Sequence, residues 1–205
     1  MIGADFTQFA GFDLVIAGTC CQSISRARIE NRDVNNGLDG KSGIFFEAVR
    51  ALEEIKPKWF MFENVIPSRE EDLITMNKML GVNAVLINSN LFGCQDRERY
   101  YWTNFDIPEL PTKCETVFRD VMEINVAEKY FYNKPFEMIG DDKKVCATLK
   151  VNTMEMNKRI YHPNYKMCTL TCINGGYHEK KILDNKKPRK LTETEYERCQ
   201  GLPDG

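Results

Sequence analysis

The sequence lacks any apolar run near the ~18 residues that a membrane-crossing helix requires, which excludes a membrane span of that kind. Its first residues, MIGADFTQFAGFD, hold no basic start followed by an apolar core, so no secretory signal and a cytoplasmic location are expected. It also lacks a basic excess. The formal net charge of -2 excludes a broad cationic face of the kind that embraces nucleic acid. Any such contact falls to local clusters: Arg26, Arg28 and Arg32, and then Lys180, Lys181, Lys186, Lys187, Arg189 and Lys190. Zinc-type ligand sets are missing too. Cys168 and Cys172 stand at ligand spacing, but no second pair and no His-x3-His follows, so no metal is expected. Repeats and low-complexity segments are absent. What is present is ordinary for a globular chain: 205 residues, 42% hydrophobic and 28% charged, enough for one sizeable domain with a small appendage. The eight cysteines come without a secretion signal and in a chain long for a stapled mini-domain. They read as free thiols of a reducing compartment, most of them packed as small core residues.

Hydrophobic patterning alternates strand and helix over the first half. Residues 12–17, FDLVIA, form a short run rich in strand formers, closed by Gly18. A long polar loop follows over 21–42, and loops of that length in compact domains are usually functional or disordered. Phe45, Ala48, Val49 and Leu52 recur at helical spacing, which predicts a helix over 43–55 stopped by Pro57. Strands are expected over 59–62, 84–87 and 100–105, with a helix over 70–80. This order argues for an α/β domain with a Rossmann-like parallel sheet. Beyond Pro108 the chain turns polar, with a helix expected over 116–125 and short strands over 145–151 and 168–173. The spacing of Thr192 and Glu195 marks a capping box that opens a last helix over 190–201. Three regions result: 1–128, a partial catalytic domain; 129–188, a small β-rich region; and 189–205, a helix returning to the catalytic domain.

In open parallel sheets, ligands bind beyond the carboxyl ends of the strands. The first strand ends in Gly18-Thr19-Cys20-Cys21-Gln22-Ser23-Ile24-Ser25, the second in Glu63-Asn64-Val65, and the third leads into Gln95-Asp96-Arg97-Glu98-Arg99. A thiol, a carboxyl and two guanidiniums thus reach one rim. Taken singly, each has a plain alternative: a packed cysteine, a solvated glutamate, an ion-pair face.

Together these motifs resemble the DNA cytosine-5 methyltransferase family, chiefly its phage and bacterial members, with some likeness to the animal de novo enzymes. Gly18-Thr19-Cys20-Cys21-Gln22 is similar to the family's Gly-x-Pro-Cys-Gln, with Cys20 in the place of proline, and Ser25 matches the serine that follows. Ile44-Phe45-Phe46-Glu47 with Arg50 resembles the Leu-Phe-Phe-Glu helix. Glu63-Asn64-Val65 and Gln95-Asp96-Arg97-Glu98-Arg99 match Glu-Asn-Val and Gln-x-Arg-x-Arg. Arg189-Lys190-Leu191-Thr192, Glu195, Arg198 and Gln200-Gly201-Leu202-Pro203-Asp204 resemble the late Arg-x-Leu-Thr…Gln-Gly-Phe-Pro motif. The resemblance implies a partial S-adenosylmethionine-dependent methyltransferase fold and double-stranded DNA as partner, in a restriction-modification or phage setting. It makes Cys21 the nucleophile, Glu63 the acid at the base, and Arg99, supported by Arg97, the clamp on its O2 side. It places Cys20 and Ile44 at the cofactor, and Gln22, Ser25, Arg26, Asn64 and Arg189 at the DNA. His162, Asn174, His178 and Lys180 fall in the region where the family reads its target.

The resemblance also has gaps. The family's glycine-rich cofactor loop and its ribose-binding acid precede the part matched here, and its Gly-Asn helix follows it. The expectation is therefore an incomplete S-adenosylmethionine pocket and weak or absent activity of this chain alone, with the missing N- and C-terminal segments supplied as a separate chain. Competing readings are an RNA cytosine-5 methyltransferase, for which Thr19-Cys20 mimics a Thr-Cys nucleophile, a non-catalytic DNA-binding remnant, and a cysteine-rich zinc module.

Overall fold

The computed structural model describes residues 3–25, 37–171 and 175–204. Their contacts divide the chain into two units: 1–88 with 98–110, and 89–97 with 111–205.

The first unit carries β1 (Leu14–Gly18), α1 (Ile44–Ile55), β2 (Trp59–Asn64), α2 (Glu70–Leu80), β3 (Val85–Asn88) and β4 (Glu98–Thr103). The elements form where the apolar pattern places them. Helix α1 buries Phe45, Ala48, Val49, Ala51 and Ile55. It ends at Lys56, which turns left-handed at φ 53, because the following Pro57 disfavours helical backbone before it. Helix α2 opens on Glu70, Glu71 and Asp72, where the N-terminal end of the helix dipole favours acids, and stops at Gly81 with φ 70.

The sheet order is β1-β2-β4-β3. Strands β1 and β2 are parallel, whereas β4 runs antiparallel to both β2 and β3. The sheet is therefore mixed where an all-parallel one was expected. The reason is the linker between β3 and β4. Residues 89–97 are too few for the crossover of a dozen or more residues that a parallel return needs. Residue alternation then fixes the two faces. Ala17, Phe60, Phe62, Tyr100 and Trp102 meet α1 and α2 in one core. Trp102 is wholly buried, and its Nε1 donates to Asn77 Oδ1 at 2.7 Å. On the opposite face Leu14, Ile16, Trp59 and Val85 are exposed.

The second unit holds a five-stranded sheet, β5 (Phe136–Met138), β6 (Val145–Leu149), β7 (Arg159–Tyr161), β8 (Lys181–Asp184) and β9 (Lys187–Lys190), in that spatial order. A short helix α3 (Glu155–Lys158) precedes β7, and α4 (Glu193–Cys199) follows β9. Helix α4 begins with the capping box read from the sequence: Thr192 Oγ1 accepts from Glu195 N at 3.1 Å, and Glu195 Oε2 accepts from Thr192 N at 3.0 Å. The helix expected over 116–125 is only a 3-10 turn, Phe118–Val121, since the backbone becomes extended at Met122. The piece expected over 168–173 forms no strand in its described part. Compactness cuts the chain at 110 rather than at 128. The helix expected to return to the catalytic domain packs inside the second unit, where Leu191, Tyr196 and Cys199 share a cluster with Phe118, Tyr161 and Ile182.

Candidate active site

The site of the first unit grows from the strand ladder. Gly18, the last residue of β1, is in register with Glu63 of β2, and Glu63 lies opposite Tyr101 of β4. Arg99 stands two residues from Tyr101 on the same strand, so it is the diagonal neighbour of Glu63 on the same face. Its Nε reaches Glu63 Oε1 at 2.9 Å, with the two side chains 14% and 31% exposed. The carboxylate also covers Gly18: a Cβ built there would lie 3.5 Å from Glu63 Oε2. A glutamate and an arginine are thus joined at the mouth of β1, and each keeps part of its surface open.

The chain leaves β1 through Thr19, Cys20 and Cys21 and turns at once. The Cys21 carbonyl accepts from Ser25 N at 3.0 Å and Ile24 N at 3.3 Å, and Ser23 N donates to Ser42 Oγ at 3.0 Å. This turn is pinned to the segment that follows the Glu-Asn-Val motif. Ser25 bridges Pro67, and Ser68 N donates to the Ile24 carbonyl at 2.8 Å. Cys21 itself is half-buried and packs against the core cluster, Cys20 and Ile44 are half-buried, and Gln22 is exposed. Arg26, Arg28 and Arg32 lie outside the described residues, as do Cys172 and Asn174.

Two expected DNA contacts require correction. Asn64 is 2% exposed. Its Nδ2 donates to Thr19 Oγ1 at 2.8 Å and its Oδ1 accepts from Val65 N at 2.8 Å, so it ties the end of β2 to the end of β1. Arg189 is fully buried. Its guanidinium makes a two-pronged pair with Glu195, at 2.6 and 2.7 Å, and a third bond to Asp184 at 2.7 Å. The basic cluster around it loses a second member to burial, while Lys186 and Lys187 stay exposed. Lys181 is 1% exposed, its ammonium donating to the carbonyls of Tyr177 and Glu179, and its pKa is pushed down to about 8, chiefly by burial.

The Gln-Asp-Arg-Glu-Arg motif is divided between the units, with Gln95 to Arg97 in the second and Glu98 and Arg99 in the first. Within the second unit its early residues are held firmly. Asp96 N donates to the Met167 carbonyl at 2.7 Å, Thr169 Oγ1 donates to the Asp96 carbonyl at 2.8 Å, and the Asp96 carboxylate pairs with Lys144 and Asn90. Burial acts to raise the pKa of that carboxyl, but Lys144 and Asn90 outweigh it and hold it below the usual range. Arg97 lines a cavity of about 220 Å³ with Ser89, Gln95, Cys199 and Gln200. A residue the sequence reading passed over completes this frame: Lys166 donates to the carbonyls of Asn90, Gly93 and Cys114, at 2.9, 2.8 and 2.6 Å. Nothing in its polar neighbourhood marked it. Of the expected base readers, His162 Nδ1 accepts from Asn164 N at 3.1 Å, His178 is exposed and Lys180 is half-buried.

The residues assigned to the cofactor fit it only in part. Cys20 and Ile44 suit one apolar wall, but neither offers a carboxylate for ribose hydroxyls nor a charge for an amino-acid moiety. Among the described residues no helix is long and apolar enough to cross a membrane.

Known proteins are similar to this chain in sequence and in fold. The sequence profile of the family described as C-5 cytosine-specific DNA methylase matches residues 3–205. The chain is 27% identical to the type II methyltransferase M1.ScrFI of Lactococcus lactis subsp. cremoris, over 94% of this chain and 54% of that protein. It is 26% identical to the orphan methyltransferase M.SPBetaI of Bacillus phage SPbeta, over 82% of this chain and 49% of that protein. It thus spans about half the length of these relatives. The crystal structure of the Dnmt2 methyltransferase of S. pombe superposes with a TM-score of 0.60 at 17% identity, covering 98% of this chain and 72% of that one. The Entamoeba histolytica methyltransferase EhMeth gives 0.58 at 18% identity, covering 93% and 65%. These likenesses establish a shared methyltransferase fold. With the profile matched over nearly its whole length, the chain belongs to the C-5 cytosine-specific DNA methylase family.

Proposed function

We propose that this chain carries the base-handling half of a DNA cytosine-5 methyltransferase, with Cys21 as the nucleophile. The observation that carries the reading is the Glu63–Arg99 pair beside Gly18, at the strand end from which Cys21 emerges. Carbon 5 of cytosine is a poor nucleophile within an aromatic ring. Addition of the Cys21 thiolate at C6 breaks that aromaticity and makes C5 electron-rich, which is covalent catalysis. The negative charge that builds on the ring is offset by a carboxylic acid hydrogen-bonded at N3 and the 4-amino group, the role of Glu63. Arg99 holds Glu63 in place and faces the O2 side. S-adenosylmethionine supplies the electrophilic methyl group. After methylation the C5 proton leaves to a base, the C6–S bond breaks and the Cys21 thiolate is released. A base inside a duplex is out of reach, so the target cytosine is flipped out. Gln22 and Ser25 then lie on the DNA side of the loop, and the second unit supplies target recognition.

The chemistry before methyl transfer is measurable without a cofactor, because adding a thiolate at C6 makes C5 basic enough to exchange its hydrogen with solvent. The chain incubated with double-stranded DNA in deuterated water is expected to exchange the C5 hydrogen of cytosine. Cys21→Ser abolishes this and Cys20→Ser retains it. Silence from the wild-type chain, or exchange surviving in Cys21→Ser, overturns the assignment, and exchange confined to RNA transfers it to the RNA class. Radiolabelled methyl transfer by the same chain is expected to be weak, given its partial cofactor wall.

A further inference from the structure

The second unit holds two thiols that the chemistry above does not use. Cys94 stands directly before the Gln-Asp-Arg-Glu-Arg motif, and Cys199 is the last residue of α4. Their Sγ atoms are 3.4 Å apart across a sequence separation of 105 residues, and the residues are 1% and 5% exposed. Such burial usually makes a cysteine an inert packing residue. Two features set this pair apart. A disulfide needs sulfurs about 2.05 Å apart, so closure asks for an approach of roughly 1.4 Å. Both flanks have room to give: Gly93 has open space around its α-carbon, and Gly201 turns the chain at φ 78 just past Cys199. Second, the 220 Å³ cavity beside the pair has Cys199 in its wall, with Gly93 and Gln95, the neighbours of Cys94, lining it as well. A molecule as small as a peroxide fits there.

We propose that Cys94 and Cys199 are a redox modification site, closing to a reversible disulfide when a peroxide enters this cavity. The thiolate of Cys94 attacks one peroxide oxygen, the O–O bond breaks and hydroxide leaves, which gives a sulfenic acid on Cys94. The Cys199 sulfur then attacks the Cys94 sulfur. The S–S bond forms, the S–O bond breaks, and the departing hydroxide takes the Cys199 proton to become water. In sum, two thiols are oxidised to one disulfide and one peroxide is reduced to two waters. The hydrogen bond with Cys199 lowers the Cys94 pKa against the effect of burial, helped by the Lys166 charge, which favours Cys94 as the attacking sulfur. Disulfides in reducing compartments are typically transient and redox-sensing, which matches a closure that thiols reverse. The bond would fasten the segment leading into the arginine motif to α4.

The test treats the whole 205-residue chain with dilute hydrogen peroxide, then alkylates it under denaturing conditions for mass spectrometry. The expected result is a mass about 2 Da lower before alkylation, a thiol count reduced by two from eight, and a crosslinked peptide joining Cys94 to Cys199. Dithiothreitol restores the original count. In Cys199→Ser, Cys94 stops at the sulfenic acid and is captured by dimedone. Methyl transfer is not the readout, because Cys21 is itself oxidisable. Eight surviving thiols, a crosslink between other cysteines, or separate over-oxidation of Cys94 and Cys199 overturns the proposal. The wild-type peptide map decides this even if the serine variant folds poorly.

Discussion

Replacing Arg189 by alanine separates two roles for one motif residue. In the structure the guanidinium is out of solvent and meets Glu195 at 2.6 and 2.7 Å and Asp184 at 2.7 Å. Glu195 is equally buried. Without Arg189 its carboxylate keeps only neutral donors, the backbone N–H groups of Thr192 and Glu123, both at 3.0 Å. Removing one partner of a buried ion pair costs about 3–5 kcal/mol, because the other charge is left in a poorly solvating interior. A typical domain has only ~5–15 kcal/mol of stability, so the loss is a large fraction. Both tryptophans, Trp59 and Trp102, sit in the first unit, and their fluorescence follows that unit alone. Hydrogen exchange of the β8 and β9 amides follows the second. Arg189→Ala is expected to accelerate that exchange and lower the urea midpoint seen by circular dichroism. Arg189→Met combined with Glu195→Gln removes both charges, so it is expected to be more stable than Arg189→Met alone. A variant that keeps wild-type protection but loses DNA affinity would refute the buried-pair reasoning and restore the surface contact expected from the motif.

Glu63→Gln keeps the shape of the side chain but not the acid, and the C5 exchange rate is expected to fall by roughly 10²–10⁴-fold; exchange at the wild-type rate would remove Glu63 from the chemistry. Gly37 has φ 55, and a Cβ there would lie 2.5 Å from Asp72 Oδ2. Gly37→Ala is therefore expected to cost about 1–3 kcal/mol in a tryptophan-monitored urea titration, and an unchanged midpoint would contradict the crowding. Lys181 titrates near 8 in the folded protein against an ordinary 10.5. Between those values the unfolded chain binds more protons, so stability of the second unit rises with pH across that window. Lys181→Met is expected to flatten this slope, and an unaltered slope assigns it to other groups.

Most elements were legible because their signals are local. The period of Phe45, Ala48, Val49 and Leu52 marks α1, and the Thr192–Glu195 spacing marks the start of α4. Strand direction was less so. The reversal of β4 follows from linker length, a constraint carried by residues 89–97 rather than by the strand itself. The second unit resisted further. Its order depends on contacts such as Lys166 with three carbonyls and Asp96 with Lys144, between residues far apart in sequence and without a shared period. Burial of Arg189 and Lys181 was hidden as well: a run of basic residues reads as a solvated patch until its partners cover it, and here Glu195 and Asp184 meet Arg189 while the carbonyls of Tyr177 and Glu179 meet Lys181.

The candidate site shows how motif residues divide their work. Glu63 and Asn64 are adjacent, yet a strand directs neighbours to opposite faces. Glu63 therefore meets Arg99 on the open face, while Asn64 turns inward and fastens Thr19. The same alternation puts Arg99 rather than Tyr100 beside the carboxylate, since Tyr100 packs with the core. A motif of consecutive residues cannot all touch one ligand when it lies on a strand. Part of it must brace the frame, as Asn64 does here. An asparagine suits the brace because its amide donates to one strand end and accepts from the next backbone N–H at once; an aspartate would present Thr19 with acceptors only. Asparagine after the glutamate thus joins two strand ends, with Gly18 in register with Glu63 where the chain leaves β1 for the Cys21 turn.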